Sequence, residues 1–169
     1  REFIRRGKLG RLLMISASFA QRVYDLYRGE VPPRPAGVPT PNASSYSDPA
    51  IVGGGEGHTQ ASHIIGTVLW LTQLQPASVF AYMNNLDLAV DVVDVMVVRF
   101  TDGALATIAA NGLLPAGVSN RNVQIQGDKG LLGMDSAGGV VYTFNDAQQG
   151  PIKSDPARHG RVHECPPAL

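Results

Sequence analysis

Cysteine is almost missing: Cys165 is the single thiol in 169 residues. One thiol in a Pro-rich tail cannot close an intrachain disulfide, and it cannot build a thiolate zinc site. Net charge is missing as well, with Lys+Arg 14 against Asp+Glu 14. No basic block extends beyond Arg5-Arg6-Gly7-Lys8, so nucleic acid and anionic membrane have no electrostatic footprint. No apolar run is long enough to span a bilayer, and no signal-peptide pattern is present. Together these absences fit a soluble protein in a reducing, cytoplasmic setting, with neither nucleic acid nor membrane as partner.

What is there is ordinary globular material. Hydrophobic residues make up 44% and charged residues 17%, enough to bury one core in a chain of single-domain length. The ends are less ordinary. The chain opens Arg1-Glu2-Phe3-Ile4-Arg5-Arg6 without a Met, as though cut into the end of a helix. Pro166-Pro167-Ala168-Leu169 closes no element, and residues 145–169 form a tail without a functional signal. A fragment or excised domain is the expectation.

The densest pattern runs from Gly53 to Leu74: a glycine turn opening into a helix, with Pro76 marking its stop. At roughly 100° per residue, Gly57, Ala61, Ile64, Ile65, Val68 and Leu71 share one side. Glu56, Thr59, Gln60, His63 and Thr67 share the other. Thr59 and His63, four apart, stack on that face with Gln60 beside them. A water-facing helix usually carries Lys and Glu there. Uncharged hydrogen-bonding groups around one imidazole suit a polar ligand, although composition alone favours a merely solvated histidine.

Strands surround this helix in the sequence. Arg11–Phe19 reads as one, with both faces apolar in its first half. Residues 22–49 read as a long Pro-rich loop whose Arg22, Tyr24 and Tyr27 either cover a site or belong to a surface loop. Further strands are expected at residues 78–83, 90–100, 104–109, 122–126, 131–135 and 140–144, with Thr101-Asp102-Gly103, Gly127-Asp128-Lys129-Gly130 and Ala137-Gly138-Gly139 as turns. Tight turns imply antiparallel neighbours. Val93, Val95 and Val97 alternate with Val92, Met96 and Val98, so both sheet faces are apolar at mid-strand. One helix covers one face only. The other face is then expected to bury against a second copy, since no second long amphipathic helix is visible.

Familiar chemistries find little purchase. Gly53-Gly54-Gly55-Glu56-Gly57 lacks the preceding strand and the downstream acid of a dinucleotide fingerprint, although a helix N-terminus there can hold an anionic group. His58 and His63, five apart, point to different faces of one helix and do not share a metal. Ser16, Ser18 and Ser62 sit in no nucleophile-elbow sequence. No metal site is expected.

The order of these elements resembles a known family. Gly53-Gly54-Gly55, His63 eight residues after them, and Leu69-Trp70-Leu71-Thr72 resemble the C-terminal domain of the glucose–fructose oxidoreductase / inositol dehydrogenase (Gfo/Idh/MocA) family. Val97–Ala104 and Val123–Gly130 match its sheet signatures, and Ile4–Gly10 resembles the junction leaving its nucleotide-binding domain, with residues 1–8 as that junction. The resemblance runs to about Phe144. It implies an α+β fold like the C-terminal domain of glyceraldehyde-3-phosphate dehydrogenase: a large, predominantly antiparallel sheet with a helix on one face and an oligomer on the other. It also implies an NAD- or NADP-dependent oxidoreductase acting on a sugar, polyol or related hydroxy compound.

Residue by residue, the resemblance puts His63 at the catalytic-histidine position, where it takes the hydroxyl proton as hydride leaves. Thr59 stands where the family often has Asp, and Gly66 where a second Asp is common. Gln60 and Glu56 are implied hydroxyl binders, and Arg22 and Tyr24 are candidates from the loop. The family's dinucleotide fingerprint and its Glu-Lys-Pro lysine belong to the preceding Rossmann domain. Neither occurs here, so no cofactor-binding residue is assigned and this chain alone is expected to be inactive. The alternative is a non-catalytic binding or assembly domain using the same sheet, with His63 as a ligand contact.

Overall fold

The computed structural model describes residues 1–31, 33–135 and 140–145, the last of these by backbone alone. The Ala137-Gly138-Gly139 turn, Cys165 and the tail beyond Asn145 lie outside the described residues. Among the described residues, six helices and seven strands follow in order: α1 (Glu2–Arg5), β1 (Leu12–Ala20), α2 (Tyr24–Tyr27), α3 (Ser44–Ser47), α4 (Pro49–Val52), α5 (Glu56–Thr59), α6 (Ala61–Thr72), β2 (Pro76–Asn84), β3 (Val93–Phe100), β4 (Leu105–Asn111), β5 (Asn120–Gly127), β6 (Gly130–Asp135) and β7 (Val140–Asn145). The expected α+β class holds.

All seven strands join one sheet in the order β2-β3-β4-β1-β5-β6-β7. Consecutive strands from β2 to β4 and from β5 to β7 pair antiparallel, as their short turns require. The first strand then slots into the middle, parallel to β4 and antiparallel to β5. That one parallel pairing departs from the turn-based expectation. It is reached through the helical segment between β1 and β2, a connection long enough for parallel neighbours.

Alternation along the strands decides what the sheet buries. Ile15, Ala17 and Phe19 of β1, Met96, Val98 and Phe100 of β3, Ala106, Ile108 and Ala110 of β4, and Val123 and Ile125 of β5 point inward. They pack against Ala61, Ile64, Val68 and Leu71 of α6, at the helical spacing read from the sequence. Each large aliphatic side chain so buried contributes about 1.5–3 kcal/mol. A helix C-cap at Gln73 in the left-handed region (φ 60°) and Pro76 three residues on end α6.

The opposite face exposes apolar side chains along β2 and β3, and again at the paired Met14 of β1 and Leu105 of β4. Phe80 lies opposite Val97 and Tyr82 opposite Val95, all four exposed, with the two rings edge-to-face at 5.0 Å. Moving inward across β4, β1 and β5, the row passes through Thr107, Ser16 and Gln124 and becomes polar. β2 is one edge of the sheet, and all nine of its residues are exposed.

Two expectations are corrected here. Residues 22–49 are not wholly loop: α2 and α3 punctuate them, and Val23 and Tyr27 form a second small core with Val90 and Val92. The helix expected from Glu56 to Leu74 is two helices broken at Gln60, whose backbone (φ −115°, ψ −46°) departs from helical geometry. The cause is the pinning of α5, described next.

Candidate functional site

The glycine turn before α5 is tied down by Asp91. Its carboxylate accepts the amides of Gly55 at 2.8 Å and Gly57 at 2.7 Å, while its backbone carbonyl accepts Glu56 N–H at 2.9 Å. Burial alone would raise the Asp91 carboxyl, but the Gly57 and Gly55 amides outweigh it and hold the group below its ordinary range. Gly55 is obligatory in this arrangement, because a Cβ there would lie 1.9 Å from the Asp91 carbonyl oxygen. The anion expected at this helix start is therefore the chain's own. The turn has no free Gly55 or Gly57 amide left to cradle a dinucleotide phosphate, and the residues present do not fit that part of a nicotinamide cofactor.

Behind α5 lies an acidic interior. Glu56 and Asp94 are fully buried. Glu56 thus leaves the polar stripe to which the sequence assigned it. The Tyr27 hydroxyl donates to Glu56 Oε2 at 2.9 Å and sits 2.6 Å from Thr59 Oγ1, which donates to the Gly55 carbonyl at 2.8 Å. These contacts draw the first turn inward and break the helix. Burial raises Glu56 to about 7. Burial, reinforced by the Asp91 charge, raises Asp94 to about 7 as well. As carboxylates, Glu56 Oε1 and both Asp94 oxygens face no donor. A proton on Asp94 converts it into a donor for Asp91.

On the outer side, α6 presents His63. Its ring stacks on Phe19 of β1 (centroids 6.1 Å apart, planes at 27°). The Arg121 guanidinium of β5 lies 4.6 Å over the same phenyl ring. A chain of amides links these elements: Arg121 Nη2 donates to Gln21 Oε1 at 3.0 Å, and Gln21 Nε2 donates to Gln60 Oε1 at 2.8 Å. Two cavities meet at this point. One, of about 620 Å³, is lined by Tyr46, Ser45, His58 and Thr59, and the other, of about 350 Å³, by Phe19, Thr67, Arg121 and Met134. Gln60 and His63 line both.

The structure brings Gln60 and His63 together, as their stripe implied. Thr59 lines the larger cavity, but its hydroxyl is engaged by Gly55 and Tyr27 and does not orient the imidazole. Arg22 is exposed and paired with Asp25 at 2.8 Å, and the Tyr24 hydroxyl donates to Asp87. Neither lines either cavity. The Pro-rich segment reaches the site through Pro41, Ser45 and Tyr46 instead. His58 and His63 share a cavity wall after all, because the break at Gln60 turns α5 relative to α6. Among the described residues, no group of three or more His, Cys, Asp or Glu side chains is placed to hold a metal ion. Gln21, Arg121, Asp91 and Asp94 were missed in the sequence. Asp94 alone carried a signal, as a carboxylate on the apolar alternation of β3.

An open, mostly antiparallel sheet with a helix pair across one face makes this an α+β domain. The chain belongs to the GFO/IDH/MocA family: its C-terminal-domain model matches residues 1–133. Comparison with curated proteins gives no match. Among solved structures, the chain is similar to an oxidoreductase domain protein from Kribbella flavida (TM-score 0.76, 16% identity, 93% of this chain and 44% of that one). It is also similar to levoglucosan dehydrogenase in complex with NADH and L-sorbose (0.72, 16%, 92% and 43%). An NAD-binding oxidoreductase from Klebsiella pneumoniae is a third (0.71, 16%, 90% and 41%). The chain thus spans less than half the length of these proteins, and at such identities the likeness is one of fold. No helix among the described residues is long and apolar enough to cross a membrane.

Proposed function

We propose that this chain is the substrate-side and oligomerisation domain of an NAD- or NADP-dependent oxidoreductase acting on a sugar, polyol or related hydroxy compound. In this reading a nucleotide-binding domain precedes it and the whole works in the cytoplasm. The observation that carries the reading is His63: an imidazole without a hydrogen-bond partner among the described residues, held by stacking on Phe19 at the junction of two cavities.

A nicotinamide bound by a preceding domain would supply the hydride acceptor. This chain's residues bind the hydroxyl compound and manage its proton. Histidine is suited to accept a proton near neutral pH, and His63 takes it from the reacting hydroxyl. Gln60 beside it, with His58 and Thr67, offers hydrogen bonds to neighbouring hydroxyls. Oligomerisation uses the exposed stripe of Phe80, Tyr82, Val95 and Val97, which burial against a second copy would dry. In the full-length protein, His63→Ala should lower turnover by about 100-fold or more while leaving the oligomer intact. Equal turnover in the variant removes His63 from the chemistry.

One observation favours the rival, a non-catalytic binding domain. No carboxylate is hydrogen-bonded to His63 among the described residues, so nothing stabilises an imidazolium as an Asp at position 59 would. Ligand binding that persists in His63→Ala, with no turnover in the parent protein, is the outcome that reading expects.

A further inference from the structure

The amide chain ending at Gln60 has a direction, and the direction is forced. A guanidinium only donates, so Gln21 must turn its carbonyl oxygen toward Arg121, as it does at 3.0 Å. Its NH2 group then faces Gln60 and requires an oxygen there, met by Oε1 at 2.8 Å. What remains to Gln60 is its own NH2 group, in the residue that lines both cavities with His63. A glutamine amide is symmetric in shape but opposite in polarity at its two ends, and only its neighbours fix which end faces a ligand.

Resting on the role of His63 given above, we propose that Gln21 and Arg121 are positioning residues that fix Gln60 as a hydrogen-bond donor toward the oxygen that His63 deprotonates. A substrate hydroxyl that accepts from Gln60 Nε2 has its own proton left to donate, and the His63 imidazole is the acceptor beside it. With Gln60 reversed, the hydroxyl donates to Oε1 and its proton points away from the base. The chain therefore sets proton direction without touching substrate. As the alcohol becomes a carbonyl, the same N–H still has an oxygen to donate to. Arg121 is held in register by its stacking on Phe19, which also carries the His63 ring, so one phenyl aligns both ends of the device.

Gln21→Glu tests this with almost no change of shape. Glutamate still accepts from Arg121 but cannot donate, so Gln60 must turn its NH2 group inward and its oxygen to the cavity. Side-chain amide exchange by nitrogen-15 NMR on the full chain reads this without turnover. In the parent, the Gln21 NH2 protons should exchange slowly and those of Gln60 fast; in Gln21→Glu the Gln60 pair should become the slow one. The opposite order in the parent, or an unchanged Gln60 in the variant, overturns the assignment.

Kinetics with D-glucose and myo-inositol as probes, on protein carrying its nucleotide domain, read the consequence. Gln21→Glu should lower kcat by about tenfold or more at every pH, with KM little changed. A displaced pH profile with an undiminished plateau indicates only an added charge near His63 and overturns the positioning role. Undiminished turnover in His63→Ala sinks the base and leaves the amide order standing. An unaltered Gln21→Glu beside an inactive His63→Ala sinks the positioning role alone.

Discussion

Between Gly53 and Thr72 the chain solves two problems in opposite ways. At the start, the backbone of α5 is locked by acids: the half-buried Asp91 holds two amides, and the buried Glu56 with Tyr27 holds Thr59. Further on, α6 is fixed by dry packing of Ile64, Val68 and Leu71 on the sheet, leaving its outer side to carry His63. The locked turn keeps no Gly55 or Gly57 amide free for a ligand, whereas the packed end brings His63 and Thr67 to the cavity on its outer side. Polar interior groups fix the angle at which the helix enters, and apolar groups hold it there. Gln60 is the joint between the two, which is why it reaches both cavities.

The sharpest way to break the locked end is Gly55→Ala. Its Cβ would meet the Asp91 carbonyl oxygen at 1.9 Å, and backbone cannot give way as a side chain does. A loss of about 3 kcal/mol or more in chemical denaturation is expected, with the α5 turn displaced. Comparable tolerance of Ala at Gly66, where an added Cβ meets nothing within 4 Å, makes the control.

The buried acids give the comparison a pH signature. Glu56 and Asp94 titrate near 7 in the folded chain, against ordinary values of 4.5 and 3.8. The folded state therefore holds protons that the unfolded chain has already lost across that interval. Their contribution is complete below about pH 4, declines as pH rises, and levels off above about 7. Thermal melts from pH 4 to 8 should show this decline. Asp94→Asn, whose amide NH2 donates to Asp91 permanently, should flatten part of it. An unchanged slope in that variant would mean that Asp94 is ionised in the fold.

Smaller effects follow. Tyr27→Phe removes the hydroxyl shared by Glu56 and Thr59 and should cost about 1–3 kcal/mol, by denaturant titration. Arg22→Ala breaks an exposed pair with Asp25 and should leave the denaturation midpoint and ligand binding unchanged.

The packed end of this contrast was legible in the sequence and the locked end was not. Helical spacing of Ala61, Ile64, Val68 and Leu71, and the alternation from Val95 to Phe100, are local patterns that burial obeys. The place of β1 at the centre of the sheet depends on a long parallel connection with no local signature. Glu56 carried helical phase for the solvent side, yet tertiary hydrogen bonding from Tyr27, 29 residues earlier, drew it inside. Likewise the Asp91 contact to Gly55 spans 36 residues, and the Arg121 contact to Gln21 spans 100. Nothing in the neighbourhood of those residues marks them.

The most direct test of the functional account is chemical rescue of His63→Ala in protein carrying its nucleotide domain. Oxidation of a cyclic polyol should fall in the variant and rise again with added free imidazole, with the regained rate following imidazole's own titration. Turnover in His63→Ala equal to the parent's, indifferent to imidazole, contradicts the assignment of this histidine as the base.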